Sequence, residues 1–189
     1  MMRKDLRRCF IAINLPKNVA DEIKKIQELL IKSNLISLKL TEIENLHLTL
    51  KFLGEIDEDK VERVKIKLRE IDLLRFDCEL GEIGVFSENF LRIIWIKVDG
   101  KIFDLQKEID KNLEEIFEKE NRFMSHITIS RVKNVKDKTK FINFLKKINV
   151  NRITFGVDEF SLMESKLSSK GSVYKELEKY KLESKYRFK

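Results

Sequence analysis

Apolar residues in this chain fall into two kinds of run: short continuous blocks, and longer stretches where they recur every three or four positions. A continuous block bounded by polar residues or glycine reads as a buried strand, and the wider spacing as one face of a helix. Residues 7–14 predict a strand, and Pro16 opens a helix over about 18–34 with Val19, Ile23, Ile26, Leu29 and Leu30 on its stripe. Leu46 to Leu53 predicts a second strand that Gly54 ends. Asp57 then starts a helix to about Glu70, with Val61, Val64, Leu68 and Ile71 on one face. Residues 74–86 predict a strand kinked at Gly81 and Gly84.

The same order returns. Residues 90–98 predict a strand, and 101–118 a helix with Ile102, Leu105, Ile109, Leu113 and Ile116 as its stripe. Met124 to Val132 predicts a strand, 137–147 a helix, and 150–163 a strand. The tail 171–182 fits two patterns: Val173, Leu177 and Tyr180 at helical spacing, or Tyr174, Tyr180 and Leu182 on one strand face. The chain thus reads β-α-β-α-β twice, over about 5–86 and 90–165, with a further segment at 171–183. No linker rich in Pro, Gly or Ser separates the halves, so one two-lobed domain over residues 1–189 is expected.

Composition narrows the class. Hydrophobic residues make up 42% and charged residues 38% of 189, the balance of a globular chain with a heavily charged surface. No apolar run approaches the roughly 18–20 residues that span a bilayer. The stretch Cys9 to Leu15 behind the basic Met1 to Arg8 is too short for a secretory signal. Two cysteines, Cys9 and Cys78, cannot form a disulfide framework and read as small buried hydrophobes, so a reduced, cytoplasmic protein is expected. A net charge of +7 tilts the choice of partner towards polyanions, but the surplus is thinly spread.

The sharpest signal is that the chain has two histidines and both lie in the same pattern. Leu46-His47-Leu48-Thr49-Leu50 and Ser125-His126-Ile127-Thr128-Ile129 are the central strands of the two halves. Alternate side chains of a strand share a face, so His47 points with Thr49 and His126 with Thr128, about 7 Å apart along the backbone. If the halves pack about a pseudo-twofold axis, two imidazoles and two hydroxyls meet at one point. An imidazole near its ordinary pKa of about 6.5 serves as either acid or base, and a hydroxyl donates to a phosphoryl oxygen. Two half-buried structural histidines are the plainer alternative. A zinc site needs three or four ligands, and neither cysteines nor patterned carboxylates accompany this pair.

These residues resemble the 2H phosphoesterase superfamily, named for two His-x-Thr-x motifs. The chain is most similar to its RNA 2′,3′-cyclic phosphodiesterase branch, the LigT-like 2′-5′ RNA ligases. The resemblance runs through Arg7–Pro16, Glu44–Gly54, Phe123–Arg131, Leu162–Ser165 and Gly171…Tyr174…Leu177…Tyr180. Ser125 departs from it, since the family often has proline before the second histidine. The resemblance implies an α+β, pseudo-symmetric two-lobed fold with antiparallel sheets facing across a central cleft and helices outside, and it makes the tail a strand. It implies no metal or other cofactor. The implied partner is RNA with a 2′,3′-cyclic phosphate end, tRNA halves included, or a cyclic nucleotide, opened to a 2′-phosphate by a monomeric enzyme without a membrane. The resemblance also implies reversible 2′-5′ RNA joining. The resemblance gives the acid to His47 and the base to His126, with Thr49 and Thr128 on the phosphoryl oxygens.

The family also places an arginine against the phosphate where Arg131 stands. Strict alternation puts Arg131 on the face opposite His126, so this role requires a strand end or a bulge. Phe52 holds the matching position in the first half, and Phe10 shares a face with Ala12 and Asn14. Either ring can stack on a base or pack in the core. Lys133, Lys136, Lys138 and Lys140, and the tail lysines Lys166, Lys170, Lys175 and Lys179, read as RNA contacts or simply as solvated faces. A rival function of another class is an RNA-end binding module without turnover, although binding alone needs no paired acid and base.

Overall fold

A computed structural model describes residues 5–169 and 171–183; Lys170 and the start of the basic N-terminus lie outside them. The elements are β1 (Arg7–Asn14), α1 (Lys17–Lys32), β2 (Ile36–Leu40), β3 (His47–Ile56), α2 (Glu58–Arg69), β4 (Phe76–Val85) and β5 (Ile93–Gly100). They continue with α3 (Ile102–Asn112), β6 (His126–Val135), α4 (Lys138–Leu145), β7 (Thr154–Val157), β8 (Glu159–Ser168) and β9 (Gly171–Lys181). The strands form one curled antiparallel sheet in the order β7-β4-β5-β6-β3-β1-β8-β9, with β2 also on β6. The first lobe is β9-β8-β1-β3 and the second is β6-β5-β4-β7 with β2. The two meet at a single register pair, Leu48 opposite Ile127. The expected α+β architecture is therefore present, with its two sheets joined edge to edge at the centre.

Helix faces follow the predicted stripes. Val19, Ile23, Ile26 and Leu30 of α1, and Ile102, Leu105 and Ile109 of α3, are buried against the convex side of the sheet. Each fully buried aliphatic side chain contributes about 1.5–3 kcal/mol. Asp57 and Asp137 begin α2 and α4 by accepting the Lys60 and Lys140 backbone N–H, each at 2.9 Å. Such caps stabilise by about 1 kcal/mol. The helices cross over: α1 follows a strand of the first lobe but packs on β2 and β6, whereas α3 follows β5 but packs on β3.

Four expectations change. Gly54 does not end the second strand; with φ +72 it takes a bulge, and β3 runs on to Ile56. Helix α3 stops at Asn112 rather than near 118, because Glu118 and Glu120 are drawn to a buried ion pair described below. The stretch 150–163 is two strands: β7 pairs with β4 and β8 with β1, so consecutive residues serve different lobes. In the tail, Tyr174 faces Ser165 and Tyr180 faces Phe160, with an extra residue at Leu177, so the two tyrosines lie on opposite faces of β9. β2 was not anticipated, although Ile36-Ser37-Leu38-Lys39-Leu40 alternates at the strand period.

Candidate active site

His47 and His126 stand beside the one point where the lobes join, on the concave face. Each ring is oriented the same way. His47 Nδ1–H donates to the Asn45 carbonyl and His126 Nδ1–H to the Met124 carbonyl, both at 2.7 Å. A carbonyl only accepts, so Nδ1 carries the proton and Nε2 is left as the exchanging atom of each neutral ring. The Thr49 hydroxyl lies 3.0 Å from His47 Nε2 and donates to it. Burial holds both imidazoles below their ordinary pKa, although the bond to the backbone carbonyl works against the shift in each. Charge on His126 lowers His47 further, so the two rings titrate as a pair in which the first proton hinders the second.

Their surroundings differ. His47 lies between Phe10 and Tyr174, with ring centroids 4.9 and 5.2 Å away. His126 has Phe86 at 5.0 Å. Phe10, Ala12 and Met163, with Tyr174 against them, form a small apolar floor separate from the main core. Phe10 is 3% exposed and its ring is occupied by His47 and Tyr174, so it is a floor rather than a stacking surface. Phe52, 69% exposed, presents an open face. Trp95 stands opposite Thr128 over Gly84, whose missing side chain makes room for the indole. Its buried ring N–H has no hydrogen-bond partner among the described residues.

The position of Arg131 is settled by register. β5 pairs with β6 through Ile93–Arg131, Trp95–Thr128 and Lys97–His126, with one extra residue on β6 between Thr128 and Ser130. Ile93, Trp95 and Lys97 alternate on one face, so their partners Arg131, Thr128 and His126 share it. The bulge buries Ile129 and Ser130 in succession and turns Arg131 to the histidine side. The first motif has the same device. Phe10 opposes Phe52, Ala12 opposes Thr49 and Asn14 opposes His47, with Leu50 and Lys51 both buried between.

Each bulge is held by the helix of the other half. Lys51 Nζ donates to Asp110 of α3 and to the Glu118 carbonyl at 2.7 Å. Asp110 also accepts from Gln106 at 2.7 Å and from the Glu120 N–H at 3.1 Å. Both charges are buried, and every contact sits on the segment leading into β6. At the second bulge, Gln27 of α1 donates to the Ile129 and Thr41 carbonyls, each at 2.8 Å. Ser130 Oγ and, just before the motif, Ser125 Oγ are buried without a partner among the described residues. Despite Ser125 in place of the family's proline, strand entry is regular, the Val98 N–H donating to its carbonyl at 3.2 Å.

The sequence reading missed Tyr174 and Phe86 as neighbours of the histidines, and Trp95 opposite Thr128; only the cross-strand register could have shown them. Lysines after the second motif are spread: Lys136 donates to Asn34 and Lys140 pairs with Asp137. In the tail, Lys166 pairs with Glu164 and Lys179 with Glu159. Cys9 and Cys78 are buried, which pushes their thiols up to about 11 and about 12. Among the described residues no group of three His, Cys, Asp or Glu side chains could hold a metal ion. No helix there is long and apolar enough to cross a membrane.

Comparison with known proteins places the chain in a family. The family description LigT like Phosphoesterase matches residues 13–95 and again residues 96–174, and the chain belongs to that family. An RNA 2′,3′-cyclic phosphodiesterase of Methanocaldococcus jannaschii is 34% identical over 177 residues, covering 92% of this chain and 99% of that protein. Another of the same name from Thermotoga maritima is 33% identical, covering 90% and 92%. Among solved structures, the protein TT0787 of Thermus thermophilus has a TM-score of 0.77 at 25% identity, over 95% of this chain and all of that one. E. coli LigT shares the fold, with a TM-score of 0.72 at 21% identity over 94% and 98% of the two chains.

Proposed function

We propose that the protein hydrolyses RNA ends carrying a 2′,3′-cyclic phosphate to a 2′-phosphate and a 3′-hydroxyl. The observation that carries this reading is the matched pair of imidazoles, each with Nδ1–H tied to a carbonyl and Nε2 left to exchange a proton. The relatives named RNA 2′,3′-cyclic phosphodiesterase support it at 33–34% identity over about nine-tenths of the chain. One imidazole takes a proton from water, whose oxygen bonds to phosphorus. The P–O3′ bond breaks, and the leaving oxygen takes the proton of the other, protonated imidazole. Thr49 and Thr128 donate to the non-bridging oxygens, the Arg131 fork pairs with them, and Phe52 stacks on a base. With the 5′-hydroxyl of a second RNA attacking in place of water, the same displacement joins RNA 2′-5′, as for tRNA halves, and its reverse cleaves that linkage. In this reading the chain works as one two-lobed domain over 1–189, a cytoplasmic monomer without a metal.

The resemblance makes His47 the acid. In the free protein, burial and the neighbouring His126 both hold His47 neutral. That role therefore requires the bound phosphate to keep the proton on it. A single-turnover assay on a short oligonucleotide with a cyclic phosphate end tests the proposal, with the product identified by phosphorus NMR. We expect 2′-phosphate, formed at the same rate with excess EDTA. Tight binding without turnover would make the protein an RNA-end binder. Loss of turnover in EDTA with rescue by zinc or manganese would overturn the metal-free route.

A further inference from the structure

Strand β2 lies antiparallel beside β6, with Lys39 directly opposite Arg131. Arg131 faces the same way as His126 and Thr128, and Lys39 therefore does too. Like charges directly opposite each other in an antiparallel pair repel, and among the described residues no carboxylate bonds to either side chain. Lys97 makes the contrast. It sits on this face opposite His126, but Asp99 neutralises it at 2.7 Å. Glu42 feels the charge of Lys39, yet its hydrogen bonds come from its own backbone N–H and from Asn45 at 3.4 Å. The ammonium stands where the lobes come together. A Cβ added to Gly171, at the start of β9, would lie 3.0 Å from Lys39 Nζ, and Asn45 holds the next carbonyl, that of Ser172, at 3.0 Å.

We propose that Lys39 and Arg131 form a two-phosphate clamp in which Lys39 takes the phosphodiester on the 5′ side of the terminal nucleotide. The inference rests on the RNA-end reading above. An RNA that ends in a cyclic phosphate has nothing beyond it, so the nearest second anion is the 5′-phosphate of the same nucleoside. Facing positions of an antiparallel pair lie about 4.5–5.5 Å apart at Cα, and these two side chains reach neighbouring anions from there. Arginine suits the reacting group, where a planar fork matches two oxygens. Lysine suits a phosphodiester that needs only a point charge. An anion between the two also removes their repulsion.

The test compares adenosine 2′,3′-cyclic phosphate with and without a 5′-phosphate. At low salt the 5′-phosphate should raise kcat/KM about tenfold, the effect of one charge-assisted contact, and the gain should shrink as salt rises. Lys39→Gln should bring the ratio of the two substrates to about one, and Lys39→Arg should keep it. A ratio of one in the unaltered protein, or a full ratio in Lys39→Gln, overturns the clamp. If neither substrate turns over, the cyclic phosphodiesterase reading falls, and calorimetry then decides the clamp alone. Adenosine 2′,5′-bisphosphate should bind more tightly than adenosine 2′-phosphate, and Lys39→Gln should abolish the difference. Equal binding of the two by the unaltered protein overturns the clamp in that case as well.

Discussion

At the bulge after the first histidine the second buried residue is Lys51; at the same place after the second histidine it is Ser130. The backbone solution is shared, since both bulges turn the following residue into the cleft. The chemistry beneath is not. Lys51 is locked into an ion pair with Asp110, whereas the second bulge rests on neutral bonds from Gln27. The histidines differ likewise, His47 enclosed by Phe10 and Tyr174 and His126 flanked by Phe86. A repeated motif thus repeats its geometry without repeating its energetics. Substitutions at equivalent positions should have unequal consequences.

The histidines themselves should give the largest effects. His47→Ala and His126→Ala should each lose about 10²–10⁴-fold in single-turnover rate. A substrate with sulfur at the bridging 3′ position separates their roles, because thiolate leaves without protonation. We expect that substrate to restore most of the loss in His47→Ala and little in His126→Ala; the opposite pattern would exchange acid and base.

Stability comes next. Lys51→Met leaves a buried carboxylate uncompensated and should cost about 3–5 kcal/mol in urea denaturation. The double change Lys51→Met with Asp110→Leu should recover a good part of that. Gln27→Leu should cost less, about 1–3 kcal/mol, since the Thr41 N–H still donates to the Ile129 carbonyl. Equal losses at the two bulges would remove the contrast. Phe52→Ala should weaken binding of an RNA end by about 1–3 kcal/mol, the worth of one stacked base, read as a rise in KM. An unchanged KM would return Phe52 to the surface.

The smallest effect is in pH. Both imidazoles are held below 6.5, and on the proposed acid/base route the working form carries one proton between them. The kcat/KM profile should therefore peak on the acid side of 6.5. For folding the sign is fixed: as pH falls below 6.5 the unfolded chain takes up protons first, so the contribution of these two groups is lost from there down through their folded pKa values. Tyr174→Ala should move the profile upward more than Phe86→Ala does, because His47 is the more sheltered ring. Equal shifts would mean that the two shelters are equivalent.

The histidines, threonines and most elements were legible because their signals are local: a repeated tetrapeptide and apolar spacing. Arg131 was legible only as a condition, that a bulge must turn it. Nothing in Ile129-Ser130 announces a bulge, since a serine after an apolar residue ordinarily continues the alternation outward. Lys51 misleads in the same way, a lysine whose buried partner lies 59 residues away. The stretch 150–163 looks continuous because both of its parts are apolar. Its break at Asp158 comes from having two different partner strands, which no window of sequence contains.

Strand β8 closes against β1, where Cys9 faces Glu164, and β9 brings Tyr174 to His47. A chain made from its N-terminus holds both histidines once residue 126 has been added, yet His47 lacks part of its enclosure for nearly fifty residues more. Contacts this distant in sequence form slowly. During synthesis the cleft is therefore among the last parts to assemble, and a growing chain carries its two imidazoles for some time before they can act together.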